Sequence, residues 1–117
     1  MNGCINLFVD DIRKAPDGFI VARSYKEAID LISSNKINIL CLDHDLGFDE
    51  YGVEKNGYDI VKYLCEHRIS PQRIYLHTDN AVGRENMYNT LVGARKRGFI
   101  SSNTEIYRYQ YEDKYGV

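Results

Sequence analysis

Short apolar runs alternate with amphipathic segments along the chain, and polar residues follow most of the apolar runs. Five of these runs are rich in strand-forming residues and are bounded by acidic or turn-forming residues, which predicts β-strands. The predicted strands cover residues 4–9, 19–22, 37–42, 73–76 and 104–111. In the last of them, Tyr107, Tyr109 and Tyr111 share one face at a period of two, which is typical of side chains that pack on a sheet.

Three segments place apolar residues at helical spacing. The predicted helices cover residues 25–34, 58–69 and 80–97. Ser24 and Glu27 form a capping-box pattern at the start of the first helix, because each side chain can satisfy a free backbone amide of the first turn. Gly98 is predicted to stop the third helix.

This alternation predicts an α/β domain with a mainly parallel five-stranded sheet. The chain has 117 residues, of which 44% are hydrophobic, and this is enough for one packed core and too little for two. We therefore expect a single domain over residues 1–117. Residues 12–18 are predicted to form a turn. Residues 48–56 are predicted to form a long loop, which fits either a mobile flap over a site or an ordinary surface excursion.

Composition excludes several classes of partner. Fifteen Lys and Arg residues against seventeen Asp and Glu residues give a formal charge of −2, so no overall positive field attracts nucleic acid or an anionic membrane. Three widely separated cysteines support neither a disulfide framework nor a CxxC metal site. No apolar stretch approaches the roughly 20 residues of a membrane span, and the amino terminus lacks a signal-peptide pattern. We expect a cytoplasmic protein with no membrane partner and no extended nucleic-acid-binding surface.

Polar residues of catalytic type follow three of the five predicted strands. The groups are Asp10 and Asp11, then Asp43, His44 and Asp45, then His77, Thr78 and Asn80. The carboxyl ends of neighbouring parallel strands lie on one edge of a sheet, where ligands bind, so we expect these groups to converge. Carboxylates clustered in a partly dry crevice repel one another unless a hard cation such as Mg²⁺ or Mn²⁺ binds them. Asp10, Asp11 and Asp43 are therefore candidate metal ligands.

Each of these residues also has a plain structural explanation. Asp10 or Asp11 alone could cap a turn, and two acidic clusters at two strand ends weaken that explanation. His44 alone is typical of a surface or hydrogen-bonded histidine. His77 directly follows an apolar strand, which makes it the stronger candidate for chemistry, although a structural role stays open.

Two arginines are candidate phosphate ligands. Arg84 lies beside Gly83 near the start of the third helix, where a guanidinium and free backbone amides would face a phosphate. Arg13 lies in the loop after the acidic pair. Both positions fit a solvated arginine equally well, so both interpretations stay open.

The order of these groups resembles the receiver domains of response regulators. In that family an acidic pair after the first strand binds Mg²⁺ and an aspartate after the third strand accepts a phosphoryl group, which implies metal binding by Asp10 and Asp11 and phosphoryl transfer to Asp43. The chain departs from this pattern because His77 stands where receivers have Thr or Ser, and residues 12–18 replace the first helix. A final helix and the lysine expected after the fifth strand are also missing. An ordinary phosphorylation switch is therefore not expected.

A closer resemblance is to the family of cyclic-phosphate processing receiver domains. The stretches LFVDDIRKAPDGFIVARSYKEAI, LDHDLG, GYDIVKYL and LHTDNAVGRENM carry this resemblance between residues 7 and 87. It implies a receiver-like, flavodoxin-like fold with a shortened first helix and no last helix. It also implies a metal-dependent site for a cyclic phosphate, with His44 and His77 added to the acidic pocket.

We therefore expect a metal-dependent phosphoesterase that opens a cyclic phosphodiester, for example a nucleoside or RNA-terminal 2′,3′-cyclic phosphate. Asp43 is expected to be a catalytic residue as well as a metal ligand. His44 and His77 would divide the acid and base roles, because imidazole titrates near neutral pH. The residues expected to bind the phosphate are Arg13, Thr78, Asn80 and Arg84.

The alternative is a non-catalytic receiver-like module that binds metal and a phosphoryl group or nucleotide and signals through a protein partner. The acidic residues support it, whereas the two histidines and the missing final helix speak against it. Asp43 and Asp45 form a DxD pair that also suggests a haloacid-dehalogenase-like phosphatase. In that class the motif follows the first strand, so we rank this interpretation lowest.

Overall fold

The structure is a computed structural model that describes residues 3–48 and 51–112. In chain order its elements are β1 (Cys4–Val9), β2 (Ile20–Ala22), α1 (Tyr25–Ser34), β3 (Lys36–Leu42), β4 (Asp45–Phe48), β5 (Glu54–Asn56), α2 (Gly57–Glu66), β6 (Arg73–Leu76), α3 (Ala81–Arg97) and β7 (Glu105–Tyr107). None of the helices in the described ranges is long and apolar enough to cross a membrane.

Five strands form one parallel sheet in the order β2-β1-β3-β6-β7. This order is the flavodoxin-like one, in which the chain starts in the middle of the sheet and reverses its direction of travel after the second strand. The predicted α/β receiver-like fold is therefore confirmed. The reversal places the crevice between the carboxyl ends of β1 and β3, which is the position where ligands bind in such sheets.

All three helices pack on one face of the sheet. That face carries the large core, in which Leu7 and Val9 of β1 and Leu40 and Leu42 of β3 meet the apolar stripes of the helices. Side chains alternate along a strand, so the intervening residues of the same strands point to the other face. A smaller apolar cluster forms there from Phe8, Ile39, Cys41 and Tyr75.

The second face is covered by irregular chain instead of helix. Ala15 and Phe19 from the segment between β1 and β2 pack against the smaller cluster, as do Tyr107 and Tyr111. Within residues 3–48 and 51–112 no helix follows β7. The segment after β7 thus provides part of the cover that a final helix would otherwise give.

Two sequence predictions about the strands are wrong. The last strand was expected over residues 104–111 and ends at Tyr107, because Tyr109 and Tyr111 turn back to pack edge-on against Tyr75. The loop expected over residues 48–56 is in part strand, because Phe48 ends β4 and residues 54–56 form β5. The two strands pair antiparallel, with Asp45 opposite Asn56. β5 contains only polar residues, and β4 has just two apolar residues, Leu46 and Phe48, which is too short a pattern to predict a strand.

The helix boundaries follow from their caps. Ser24 accepts from the amide of Glu27, while the Glu27 side chain accepts from Arg23 instead of closing a full capping box. Asn56 and Asp59 form a complete capping box at α2. Gly98 ends α3 with φ at 85°, a left-handed conformation that glycine adopts at low cost.

Candidate functional site

Three backbone hydrogen bonds extend the pairing of the strands by one residue beyond their carboxyl ends. The amides of Asp10, Asp43 and His77 donate to the carbonyls of Ala22, Val9 and Leu42 at 3.0–3.1 Å. Each of these residues lies two positions after a member of the smaller apolar cluster, so its side chain emerges on the same face. The structure therefore brings together the polar groups that follow the first, third and fourth strands of the sheet.

Three carboxylates form a cluster at this edge. One oxygen each of Asp10, Asp11 and Asp43 lies within 4.8 Å of the others. Asp10 is buried, Asp43 is half-buried and Asp11 is exposed, so the cluster opens to solvent on one side. Burial raises the pKa of Asp43, and the charge of Asp10 adds to this effect. Carboxylate oxygens are hard donors, and their negative charges repel one another unless a cation binds between them. The cluster therefore fits a divalent cation such as Mg²⁺ or Mn²⁺.

Asp10 is the most buried of the three carboxylates, and both of its oxygens have partners within the protein. Oδ1 accepts from the amides of Ile12 at 2.9 Å and Arg13 at 2.8 Å, and Oδ2 lies 2.9 Å from Nε2 of His77. Burial is the largest single effect and raises the pKa of Asp10, but these hydrogen bonds together outweigh it and leave the pKa below its ordinary value. Asp10 is therefore ionised, and Asp11 and Asp43 are more accessible to a cation from solvent because they are less buried.

His77 lies in the sheet face rather than in the open crevice. Its side chain is 1% exposed and its ring stacks on Phe8 with centroids 4.6 Å apart. Burial lowers the pKa of His77, and the hydrogen bond to Asp10 opposes this only in part, so the ring is neutral near pH 7. Because Asp10 is an acceptor, Nε2 carries the proton. Nδ1 is buried and has no hydrogen-bond partner among the described residues.

Thr78 contacts the catalytic candidate Asp43 directly. Its hydroxyl hydrogen-bonds the Asp43 carboxylate and also accepts from the amide of Asn80 at 3.1 Å. The Asp43 carboxylate accepts a second bond from the amide of His44 at 2.8 Å. The comparison with receiver domains placed His77 at the hydroxyl position, and that placement is wrong, since Thr78 is the residue whose hydroxyl reaches Asp43.

His44 and Asp45, which follow Asp43 along the chain, form a second histidine–aspartate pair. Nδ1 of His44 lies 2.8 Å from Oδ1 of Asp45, and the histidine side chain is 16% exposed. Nδ1 also lies 3.3 Å from the side-chain nitrogen of Asn80, but the Asp45 carboxylate is the nearer partner. With Asp45 as the acceptor, Nδ1 carries the proton and Nε2 is left as an acceptor. The ring packs against Gly83, where a Cβ atom would lie 2.4–2.8 Å from three ring atoms.

The phosphate-binding candidates are tied to the protein in different ways. Arg13 donates to the carbonyl of His77 at 3.0 Å and pairs with Asp79 at 2.6 Å. Arg84 is one-third exposed and donates one N–H group to the carbonyl of Thr78 at 3.3 Å. Asn80 caps α3 through its side-chain oxygen, which accepts from Gly83 at 2.9 Å. The Nε of Arg84 also lies 3.9 Å from a carboxylate oxygen of Glu85, and its remaining N–H groups are left for another acceptor.

Sequence reasoning missed the residues that hold the loops of the site in place. Arg23 donates to the carbonyls of Asp10 and Arg13 and so ties the loops after β1 and β2 together. Gly57 lies so close to Asp43 that a Cβ atom would meet its carbonyl oxygen at 2.1 Å. A glycine directly before a predicted helix, which is expected here over residues 58–69, is a signal that could have indicated this close approach.

The chain matches one known protein family over most of its length. The sequence model of the family described as "Cyclic-phosphate processing Receiver domain" matches residues 5–93. No curated protein and no solved structure matches the chain. The matched range contains the acidic cluster, both histidine pairs and Arg84.

Proposed function

Since the chain belongs to the family of cyclic-phosphate processing receiver domains, we propose that it is a metal-dependent phosphoesterase that opens a cyclic phosphodiester. The observation that carries the proposal is the cluster of Asp10, Asp11 and Asp43 beside two histidine–aspartate pairs. A nucleoside or RNA-terminal 2′,3′-cyclic phosphate is the substrate class that fits the family.

Ring opening needs three contributions from the site. A water molecule attacks phosphorus and loses a proton, one P–O bond of the ring breaks, and the leaving alkoxide gains a proton. The negative charge on the phosphoryl oxygens must also be neutralised. A divalent cation bound by Asp11 and Asp43 supplies that positive charge when present.

The protein groups divide the remaining work. The geometry favours His44 for proton transfer, because Asp45 holds its Nδ1–H and leaves Nε2 to accept the proton of water and return it to the alkoxide. His77 is buried against Asp10 and acts through it, by keeping that carboxylate ionised and oriented. Thr78 orients Asp43, and Arg84 supplies N–H donors to the phosphate.

The test is an assay of the purified protein with Mg²⁺ or Mn²⁺ against 2′,3′- and 3′,5′-cyclic nucleotides. We expect turnover that EDTA abolishes, and we expect Asp11→Asn and Asp43→Asn to weaken Mn²⁺ binding measured by calorimetry. His44→Gln should lower turnover by roughly 10²- to 10⁴-fold. Asp17→Asn, an exposed acid outside the cluster, is the matched control and should retain both properties.

Two results would contradict the proposal. The first is full turnover in the presence of EDTA or in both Asp variants. The second is the absence of turnover together with stable, stoichiometric modification of Asp43 by acetyl phosphate or beryllofluoride, which would favour the non-catalytic signalling module.

A further inference from the structure

A cavity of about 620 Å³ lies between the start of α1 and the hairpin formed by β4 and β5. Tyr25 contributes to its wall from α1, Phe48 and Tyr51 from the hairpin, and Lys55 from β5. Its volume falls in the range of about 300–1,000 Å³ that is typical of small-molecule sites. The proposed phosphate chemistry uses none of these side chains.

The cavity lies at the same edge of the sheet as the acidic cluster. Its α1 wall begins at Ser24, and the neighbouring Arg23 donates to the carbonyl of Asp10 at 3.2 Å. Its hairpin wall begins at Leu46, three residues after Asp43 along the chain. Short stretches of chain thus join the cavity, on the helical face, to the cluster, whose side chains emerge on the other face. A ligand that reaches over this edge of the sheet would place its phosphate at the cluster and the rest of the molecule in the cavity.

Three aromatic residues line the cavity, Tyr25, Phe48 and Tyr51, and two of them are largely exposed. Phe48 is 71% exposed and Tyr51 is 82% exposed. The ammonium group of Lys55 lies 5.4 Å from the ring centroid of Tyr25, which links the hairpin to α1. Aromatic rings presented in this way are typical of surfaces on which nucleobases stack, because every base has a π-face.

The charges around the cavity argue against an extended polyanion. Lys26 and Lys55 are balanced by Glu27 and Asp30, and Lys26 pairs with Asp30 at 2.9 Å. A groove that follows several phosphates of a nucleic-acid strand needs a surplus of Lys and Arg. The cavity lacks this surplus, so its size and charge fit one nucleoside.

We infer that this cavity binds the nucleobase of a single nucleoside cyclic phosphate, or of the terminal nucleotide of an RNA, while the cyclic phosphate occupies the acidic cluster. The inference rests on the proposed function and adds to it a binding site for the base of the substrate. Recognition is by stacking on the rings of Phe48 and Tyr51, so it is tolerant of base identity.

The experiment compares nucleoside 2′,3′-cyclic phosphates with a cyclic phosphate that has no base, such as glycerol 1,2-cyclic phosphate. Phe48→Ala and Tyr51→Ala should each raise KM for the nucleotides by roughly 5- to 150-fold with little change in kcat. The same variants should affect the base-free substrate much less, and Tyr51→Phe should restore the nucleotide KM. Phe99→Ala, an exposed phenylalanine outside this cavity, is the matched control.

Calorimetry with nucleoside 3′-monophosphates tests the inference without turnover. Binding that Phe48→Ala weakens supports the cavity as a base site even where no cyclic phosphate is hydrolysed, so the proposed function can fail separately. Hydrolysis of nucleotide and base-free substrates with equal kcat/KM, unaffected by Phe48→Ala and Tyr51→Ala, would overturn the inference and leave the proposed function standing. A kcat/KM more than tenfold higher for an RNA oligonucleotide than for a mononucleotide would overturn the single-nucleoside assignment.

Discussion

His77 illustrates how one side chain links folding to the site. Its Nε2 donates to Asp10, a buried carboxylate that is ionised in the folded protein. We expect His77→Ala to reduce the free energy of unfolding by about 1–3 kcal/mol, because the variant leaves a buried charged acceptor without its donor. Chemical denaturation and turnover measured on one preparation check this expectation.

The comparison of the two measurements assigns the role of His77. If turnover per folded molecule falls by roughly 10²- to 10⁴-fold while the melting temperature stays unchanged, His77 transfers a proton itself. If the variant is destabilised and its turnover per folded molecule stays normal, the catalytic assignment of His77 ends. A variant that is destabilised and also binds Mn²⁺ more weakly would support the role through Asp10.

The same histidine makes stability depend on pH. Burial lowers its pKa below the ordinary value of 6.5, so the unfolded chain binds a proton that the folded protein does not bind. The free energy of unfolding of the metal-free protein should therefore decrease as pH falls from about 6.5 toward the lowered pKa. Urea denaturation across this interval measures the slope. His77→Gln removes the titrating group, and an unchanged slope in that variant would refute the explanation.

At the scale of the element, α3 carries two glycines with opposite roles. Gly83 lies in the first turn, where a Cβ atom would meet the ring of His44, whereas Gly93 has nothing within 4 Å of its Cβ position. Alanine is about 1 kcal/mol more favourable than glycine inside a helix. Gly93→Ala should therefore stabilise the protein by roughly 0.5–1 kcal/mol and leave the site intact.

Gly83→Ala should not stabilise the protein as Gly93→Ala does, because the new methyl group would displace the ring of His44. We expect turnover to fall while Mn²⁺ binding persists, since the acidic cluster does not include His44. Turnover and melting temperature of the two alanine variants, measured side by side, check the prediction. Equal stabilisation and normal turnover in both variants would show that the ring of His44 does not need its packing against Gly83 of α3.

At the scale of the whole molecule, the sheet has two unequal faces. One carries the three helices, and the other is covered by the chain around Phe19 and the tyrosines after β7. Cys41 lies at the centre of this second face and is fully buried. Burial raises the pKa of its thiol to about 12, so almost no reactive thiolate is present at neutral pH.

Cys41 should consequently report the opening of the second face. In a Cys4→Ser, Cys65→Ser background, we expect alkylation of Cys41 to be negligible in the native protein and to rise with denaturant as global unfolding does. Mass spectrometry after timed labelling measures the rate. Rapid labelling in native buffer would show that the irregular cover opens independently of the helical core.

The elements of the fold could largely be predicted because their signals are local. The strand over residues 4–9, the helix over residues 25–34 and the strand over residues 73–76 lie where the apolar periodicity and the caps place them. The hairpin of β4 and β5 could not be predicted in this way, because both strands are short and β5 has no apolar residue. The last strand is shorter than its tyrosine pattern indicates because those rings pack on the second face.

Sequence alone determined that Asp10, Asp43 and His77 lie at one edge, because parallel strands that end in polar residues present them together. Which partner each group contacts there depends on how the chain packs. His77 and Asp10 are 67 positions apart and in contact, whereas Asp11 and Asp43 are the less buried carboxylates. Thr78 rather than His77 reaches Asp43 for the same reason, since one step along a strand turns a side chain to a different neighbour. Periodicity extends over a few residues, whereas the partner of a buried polar group is set by how distant segments pack.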